Sequence, residues 1–294
     1  MRRPIIVVFL SLVLMACQAL AAERGALFTV TDKGNTLYLY GTIHAGKPEY
    51  YPLEPRIGKA LAGAPTLALE VDMTGNPGAV AAAFSQYGLF AARSPGYAAL
   101  PAKRRARLEA ALKQQGIDLA TVAQFKPWML ATMLAVKDVA KLGYDPALGV
   151  DAHLAGLARG KARIAELESV HGQAALLDGL PMETQWTLLE ETLAHMASGR
   201  QLREARALFE AYERADQKAL DAIARRIEND DSVSGKFIRD VILIERNGPM
   251  ADKLIALLAR ENNAVAAVGL LHLLGKQGVP ELLRARGLQV KRVY

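Results

Sequence analysis

Two short stretches near opposite ends of the chain share one pattern: residues 37–44 (LYLYGTIH) and residues 265–272 (VAAVGLLH). Each is an apolar run of the kind found in buried strands, and each ends in Gly-x-x-His. A glycine at the end of a strand lets the backbone turn sharply, and ligand sites form in the loops at the strand ends of open sheets. If the two strands are neighbours, His44 and His272 face one cleft.

Further strand patterns surround these two stretches. Residues 26–31 and 36–41 alternate around the turn sequence DKGN, which predicts an N-terminal β-hairpin. Additional strands are expected at 65–71, 162–167, 264–268 and 288–294. Strands near both ends of the chain, with helices between them, predict an α/β (α+β) fold whose central mixed β-sheet is built from N- and C-terminal strands and covered by helical layers.

Helical periodicity fills the middle of the chain and predicts large helical insertions at about 78–145 and 173–260. Gly116 is expected to close a basic helix over 104–115, and Pro127 to lie in the first turn of another. Asp151 is expected to cap a short helix that ends at Gly160.

The last part of the chain has a proline within a helical pattern. Gly248-Pro249 is expected to separate a helix at 234–246 from one at 250–259, and a final helix is expected at 279–286. No repeat of fixed period and no linker interrupts these elements, so residues 22–294 are predicted to form a single domain.

The N-terminus has the pattern of a secretory signal peptide. Arg2 and Arg3 precede an apolar stretch at 5–15, and the small residues at 19–21 provide a cleavage site before Ala22. We therefore expect a signal peptide over 1–21 and a periplasmic or secreted protein. The alternative is a lipoprotein, because residues 14–17 (LMAC) form an imperfect lipobox in which Cys17 would carry a lipid anchor.

Composition excludes several classes of protein. The chain has 294 residues, of which 51% are hydrophobic, and this balance excludes a disordered or collagen-like protein. The net charge of +6 is a thin excess without a long basic run, so no nucleic-acid partner is expected. Cys17 is the single cysteine, so plain cleavage leaves neither a disulfide nor a thiol nucleophile. No segment after residue 21 reaches about 20 unbroken apolar residues, so no transmembrane span is expected.

Two glutamates follow other predicted strands. Glu70 ends the apolar run at 65–71, where a buried carboxylate is costly without a partner. Two histidines and a carboxylate are a ligand set for a divalent transition metal that leaves positions open for water and substrate. Glu168 occupies the analogous place after 162–167, as a further ligand or a general base.

The order and spacing of these motifs resemble the TraB/GumN family, also called TraB/PrgY, which includes the animal Tiki proteins. The matching segments are GTIH at 41–44, LALEVD at 67–72, GVD at 149–151, LES at 167–169, ERN at 245–247 with Met250, and the closing run at 267–290. The resemblance covers about residues 26–294. It implies an α/β fold related to the erythromycin-esterase and ChaN-like proteins.

The resemblance also implies a metal-dependent hydrolase, with peptidase activity in Tiki-like relatives. By position, His44 and His272 match the motif histidines, Glu70 and Glu168 the strand-end acids, and Arg246 the arginine of the RN segment. We therefore expect a divalent ion of the Mn, Co or Zn type on His44, His272 and Glu70. Catalytic roles are expected for Glu70, Glu168 and Arg246, with Arg246 stabilising an oxyanion on a peptide or other small-molecule substrate. Asn247 is given no catalytic role.

Structural explanations exist for each of these residues. Either motif histidine can be a core histidine bonded to the backbone, Glu70 can pair with an arginine, and Glu168 can favour a helix N-terminus. Arg246 can be the structural partner of either glutamate. The other histidines, His153, His171 and His195, are interpreted as structural. The alternative function is a non-enzymatic envelope protein that binds or sequesters a peptide, haem or metal ligand.

Overall fold

The computed structural model describes residues 22–294, so the predicted signal peptide and Cys17 lie outside the described residues. The described strands are β1 (Leu27–Asp32), β2 (Asn35–Thr42), β3 (Thr66–Leu69), β4 (Arg163–Glu166), β5 (Ala264–Gly269) and β6 (Gln289–Arg292). They form one six-stranded sheet in the order β4-β3-β5-β2-β1-β6. The predicted mixed sheet from N- and C-terminal strands is confirmed.

The hairpin and its neighbours set the strand directions. β1 and β2 are antiparallel and are joined by Lys33 and Gly34, whose φ angles of 47° and 87° are typical of a two-residue hairpin turn. β2 runs parallel to β5, β5 to β3, and β3 to β4, whereas β6 is antiparallel to β1. The carboxyl ends of β2, β3, β4 and β5 therefore lie along one edge of the sheet, which we call the carboxyl edge.

Helices surround this sheet. Their bounds are α1 (Pro55–Ala62), α2 (Pro77–Gly88), α3 (Ala102–Gln114), α4 (Leu119–Val122), α5 (Pro127–Lys141), α6 (Val150–Ala158), α7 (Val170–Asp178), α8 (Met182–Ala197), α9 (Arg200–Glu213), α10 (Gln217–Glu228), α11 (Val233–Lys236), α12 (Glu245–Leu258) and α13 (Val279–Ala285). A π-helix at Phe237–Ile244 connects α11 to α12. Within residues 22–294, no helix has both the length and the apolar character needed to cross a membrane.

Buried apolar side chains form a large core around the sheet and a second core among the helices. The sheet core includes Leu39, Leu67, Val265 and Ala266, all fully buried. The second core joins the segment from Tyr97 to α3 with α5 and α8, and its members include Leu108, Leu112, Leu130, Leu134, Trp186 and Leu189. The helical insertions thus bury part of their apolar surface against each other rather than on the sheet.

The predicted break at Gly248-Pro249 is wrong. The helical run continues from Val233 to Leu258, and Pro249 lies inside α12. Immediately before α12 the π-helix shifts the hydrogen-bond register, since the Glu245 N–H bonds to Asp240 O five residues earlier. Pro249 removes one backbone hydrogen bond from α12, and burial of Met250, Ala251 and Leu254 in the following turns holds the helix together.

The predicted cap at Asp151 is also wrong. α6 follows Gly149 as its N-cap, so Asp151 is the second helical residue. A Cβ at position 149 would lie 2.9 Å from the carbonyl oxygen of His44, so only glycine fits there. The Asp151 carboxylate consequently does not cap the helix and is available for another partner.

Candidate functional site

The histidines and Glu70 converge at the carboxyl edge around Gly269. A Cβ at Gly269 would lie 3.3 Å from Glu70 Oε2, 3.5 Å from His272 Cδ2 and 3.5 Å from His44 Nε2. His272 Nε2 lies 3.6 Å from Glu70 Oε2. The parallel pairing of β2 and β5 brings the two Gly-x-x-His segments side by side although they are distant in sequence.

The glycines of these segments have a different role from the predicted sharp turn. Gly269 has a φ of −49°, a conformation open to any residue. A Cβ at Gly41 would lie 2.7 Å from Leu270 Cδ1. Both glycines therefore allow neighbouring side chains to approach the backbone closely. Gly269 also leaves space between Glu70 and the imidazoles.

His272 is buried and held by Asn247. Its side chain is 5% exposed, and its Nδ1 lies 2.6 Å from Asn247 Oδ1. The Asn247 Nδ2 donates to the carbonyl of Gln277 at 2.7 Å, so the amide oxygen faces the ring and His272 Nδ1 is the donor. Burial lowers the pKa of His272 to about 4. The charge of Glu70 opposes this shift, whereas the charge of Arg246 adds to it. The ring is therefore neutral at pH 7, with its Nε2 lone pair facing Glu70.

His44 is exposed and paired with Asp151. Its side chain is 66% exposed, and its Nδ1 lies 3.2 Å from Asp151 Oδ1. Because an ionised carboxylate only accepts, Nδ1 is the donor. Desolvation lowers the pKa of His44, but the hydrogen bond and charge of Asp151, with the charge of Glu70, outweigh it and raise the pKa to about 9. Its Nε2 points to the space beside Gly269.

Glu70 is held by three hydrogen-bond donors. Oε1 accepts hydrogen bonds from Arg246 Nη2 and, at 2.9 Å, from Gln173 Nε2. Oε2 accepts the Gly269 N–H at 3.1 Å and faces His272. Burial raises the pKa of Glu70, but the histidines, Arg246 and the Gly269 amide outweigh burial and lower it to about 2. Glu70 is therefore ionised across the physiological range.

Arg246 and Gln173 join Glu70 to Glu168. Arg246 Nη2 and Nε donate to Glu168 at 2.6 and 3.0 Å, and its Nη1 donates to the carbonyl of Ile242. Gln173 Nε2 donates to both carboxylates, at 2.9 and 2.8 Å. The guanidinium is 9% exposed, and one of its five N–H groups stays free. Glu168 therefore pairs with Arg246, and Arg246 mainly holds the two acids in place.

The loop that carries His44 is fixed from both sides. Gly46 and Asp145 exchange backbone hydrogen bonds at 3.0 and 2.8 Å, and the Val150 N–H donates to Ile43 O at 2.9 Å. Further along the loop, Tyr50 OH donates to Glu213 Oε1 at 3.0 Å. These bonds hold the loop so that His44 lies next to Asp151.

Sequence reasoning missed three residues of this site. Asp151 was interpreted as a helix cap, although it lies in the GVD segment, and Asn247 was given no role although it follows Arg246. Gln173 carried no signal at all, since one amide in an amphipathic helix is common. The remaining histidines lie elsewhere. The ring of His153 stacks on that of Tyr51, with 3.9 Å between the ring centroids. His171 lies edge-on to Tyr87, and His195 contacts Arg200.

The chemistry of the donor set fits a cation. Within residues 22–294, no group of three or more His, Cys, Asp or Glu side chains is already close enough to hold a metal ion. Yet the neutral His272 Nε2 and the ionised Glu70 Oε2 are both acceptors, and they face each other at 3.6 Å. Two facing acceptors repel, whereas a cation between them is attracted to both. The exposed imidazole of His44 lies beside the same space.

Fold and site together define an α/β protein with two histidines, two glutamates and an arginine at the carboxyl edge of a mixed sheet. The sequence model of the TraB/PrgY/gumN family matches residues 26–292, so the chain belongs to this family.

The curated relatives carry no stated activity. The proteins named "Uncharacterized protein YbaP" from Escherichia coli (strain K12) and from Shigella flexneri are each 28% identical to this chain over 275 residues, which is 90% of this chain and 96% of each relative. No solved structure matches the chain significantly. The chemistry of the site must therefore be argued from its own geometry.

Proposed function

We propose that this protein is a metal-dependent hydrolase, possessing a peptidase-like activity on a peptide or other small-molecule substrate. A divalent ion of the Mn, Co or Zn type would be held by His44, His272 and Glu70. The observation that carries this proposal is the acceptor pair of His272 Nε2 and Glu70 Oε2, which face each other at 3.6 Å beside the exposed His44.

The orientation of both imidazoles supports a metal site. Metal-binding histidines usually donate one ring N–H to a carboxylate or carbonyl group, which fixes the ring and leaves the other nitrogen for the metal. Asp151 does this for His44 and the Asn247 amide oxygen does it for His272. Both rings thereby direct Nε2 to the same space, and His44, which is charged in the metal-free protein, would release its Nε2 proton on binding the ion.

A bound divalent ion supplies activation of water and polarisation of a carbonyl group, the chemistry needed to hydrolyse an amide or ester. The chain's own residues prepare the site. Arg246 keeps Glu70 ionised and in place, with Glu168 and Gln173 completing the network. Glu168 Oε1 accepts one hydrogen bond, from Arg246 Nε, and its second lone pair is the one that a role as proton acceptor would use. The exposed side of His44 leaves the site open to substrate.

The proposal extends to location and ancestry. The signal pattern in residues 1–21 supports export to the periplasm or outside the cell, with a lipoprotein anchored at Cys17 as the alternative. Intact mass of the exported protein separates a start at Ala22 from a lipidated start at Cys17. The relation to erythromycin-esterase and ChaN-like proteins, implied by the sequence resemblance, belongs to the same proposal.

Metal binding and turnover together test the function. The purified protein is stripped of metal, titrated with Mn²⁺, Co²⁺ and Zn²⁺ in a calorimeter, and screened with each ion against peptide and ester libraries. We expect one ion to bind in a 1:1 ratio and to support hydrolysis that a chelator abolishes. His272→Gln and Glu70→Gln should each weaken metal binding by about tenfold or more, since a lost ligand or orienting partner typically costs that much.

His195→Gln is the matched control and should bind metal like the wild type, because this histidine contacts Arg200 in the helical region. Hydrolysis that persists in chelator would contradict the metal requirement. Saturable binding of a peptide or haem without any product would instead establish the non-enzymatic binding protein.

A further inference from the structure

A separate cavity lies behind His272. It has a volume of about 210 Å³ and is enclosed by α10, the π-helix and the segment after β5. Six apolar side chains line it: Ala224, Ile227, Leu243, Ile244, Leu271 and Leu274. An apolar cavity of about 150 Å³ can hold a benzene molecule, so this one has room for a group of roughly eight non-hydrogen atoms.

Two features distinguish this cavity from a packing defect. One wall is the π-helix Phe237–Ile244, a rare conformation that is frequent at functional sites. Ile244, on the same wall, stays 39% exposed. The sequence thus keeps an apolar entrance and a wide helical turn where ordinary helical packing would close the space.

Two lining residues of the cavity keep N–H groups without a partner among the described residues. Arg239 gives hydrogen bonds to Asp240 and to the carbonyls of Glu228 and Asp230, which leaves one of its N–H groups within residues 22–294. Within residues 22–294, the ammonium group of Lys276 has no hydrogen-bond or ion-pair partner. Glu228 is the acid among the lining residues, and its Oε1 already accepts the Lys276 backbone N–H at 3.2 Å. Because Asp240 offsets the charge of Arg239, the Lys276 ammonium is the group that favours a ligand that accepts hydrogen bonds and carries a negative charge.

Asn247 connects this cavity to the candidate metal site. It lines the cavity, and its amide oxygen holds His272 Nδ1 at 2.6 Å. Leu271, which also lines the cavity, directly precedes His272. A molecule in the cavity would therefore touch Asn247, which is bonded to the His272 ring, and Leu271, the residue before His272.

We propose that this cavity binds the terminal carboxylate of a small apolar group, with the apolar part between Leu243 and Leu274 and the carboxylate at Lys276. Two sources share this chemistry: a short fatty acid and the C-terminal residue of an apolar peptide. Occupancy is transmitted to His272 through Asn247. Binding here needs neither metal nor turnover, so it can be tested independently of the hydrolase proposal.

The test is a calorimetric titration of the purified, metal-free protein with hexanoate, N-acetyl-leucine and, as the uncharged comparison, hexan-1-ol. We expect saturable 1:1 binding of at least one acid, and at least about tenfold weaker binding of hexan-1-ol. Tighter hexanoate identifies the fatty acid as the source, and tighter N-acetyl-leucine identifies the peptide C-terminus. In NMR spectra, the acid should shift the ring signals of His272 and leave those of His195 unchanged.

Two variants locate the binding. Lys276→Gln should weaken binding of the acid about tenfold, whereas Lys218→Gln, an exposed lysine of α10 outside the cavity, should leave it unchanged. Leu274→Trp should fill the space and abolish binding; if this variant fails to fold, Lys276→Gln decides. Absence of saturable binding of both acids, equal affinity for hexan-1-ol, or an unaltered Lys276→Gln variant would each overturn the proposal.

Discussion

The two Gly-x-x-His segments have the same pattern and lie on adjacent parallel strands, yet their histidines differ in nearly every physical property. His44 is two-thirds exposed and paired with the charge of Asp151, which raises its pKa to about 9. His272 is buried and paired with the neutral amide of Asn247, and burial lowers its pKa to about 4. The motif places an imidazole at the strand end, but its neighbours decide whether that imidazole is charged.

The largest effect is expected from removing the residue that pairs with both acids of the site. Arg246→Met leaves Glu70 and Glu168 as largely buried carboxylates without their cation. Breaking such a pair by removing one partner should lower the free energy of unfolding by about 3 kcal/mol, measured by urea denaturation. Arg105→Met is the matched control: it breaks an exposed ion pair with Glu109 and should cost less than about 1 kcal/mol. Equal losses in the two variants would show that the network does not support the site.

Acid pH should separate the two histidines. Because the native pKa of His272 is about 4, below its ordinary value of 6.5, the unfolded chain binds a proton that the native protein does not. Its contribution to stability is full above pH 6.5 and is lost as the pH falls toward 4. One pKa unit corresponds to about 1.4 kcal/mol, so this loss amounts to about 3 kcal/mol at most.

Thermal unfolding of the metal-free protein between pH 7 and 4 measures this loss. His272→Gln should reduce the loss of stability between pH 7 and 4, whereas His44→Gln and the control His195→Gln should show the same loss as the wild type. A decline that is unchanged in His272→Gln would mean that the buried ring is not the group responsible.

The two glycines should respond differently to the same substitution. In Gly41→Ala the new Cβ would lie 2.7 Å from Leu270 Cδ1, so neighbours must move and we expect a loss of about 1–3 kcal/mol. In Gly269→Ala the nearest atom, Glu70 Oε2, is 3.3 Å away, so stability should fall less. The methyl group of the new alanine would instead occupy the space between the histidines. Co²⁺ binding should therefore weaken, and visible absorption spectra measure it. If Gly41→Ala lost Co²⁺ binding and Gly269→Ala kept it, the roles assigned to the two glycines would be reversed.

The smallest effect is expected from exchanging the partners of the two imidazoles. Asp151→Asn removes the charge that raises the pKa of His44. A raised histidine pKa contributes stability in full below pH 6.5 that is lost as the pH rises toward 9, and this alkaline decline should disappear. Because His44 is so exposed, the change should be about 1 kcal/mol or less.

Asn247→Asp is the reciprocal variant and should raise the pKa of His272 by placing a carboxylate at its Nδ1. Titration of the ring signals by NMR measures both pKa values directly. If the two pKa values stay as far apart as in the wild type, burial rather than the partner residue determines them.

Much of the fold followed from local patterns. The hairpin, the later strands and the helices beginning near Pro127 and ending near Gly116 depend on turn residues and periodicity that act within a few positions. The break predicted at Pro249 is wrong because burial of the turns that follow the proline, which holds α12 together, depends on tertiary packing. Asp151 was misassigned as a cap because the approach of the His44 carbonyl to Gly149 is invisible in the sequence.

The candidate site divides in the same way. His44, Glu70, Glu168 and His272 could be selected from sequence because each follows a strand, and parallel strands bring their carboxyl ends to one edge. Gln173 could not be selected, since its role requires two carboxylates from different strands to lie within reach of one amide group.

By itself, the sequence determined which side chains stand at the strand ends, since alternation, turn residues and apolar runs act locally along the chain. Only the tertiary structure decided what those side chains face. It made His44 exposed and charged, left His272 buried and neutral opposite Glu70, and joined both acids through Arg246. The physical reason is that charge state and hydrogen bonding depend on burial and on partners within a few ångströms, which strand pairing and helix packing bring from distant parts of the chain.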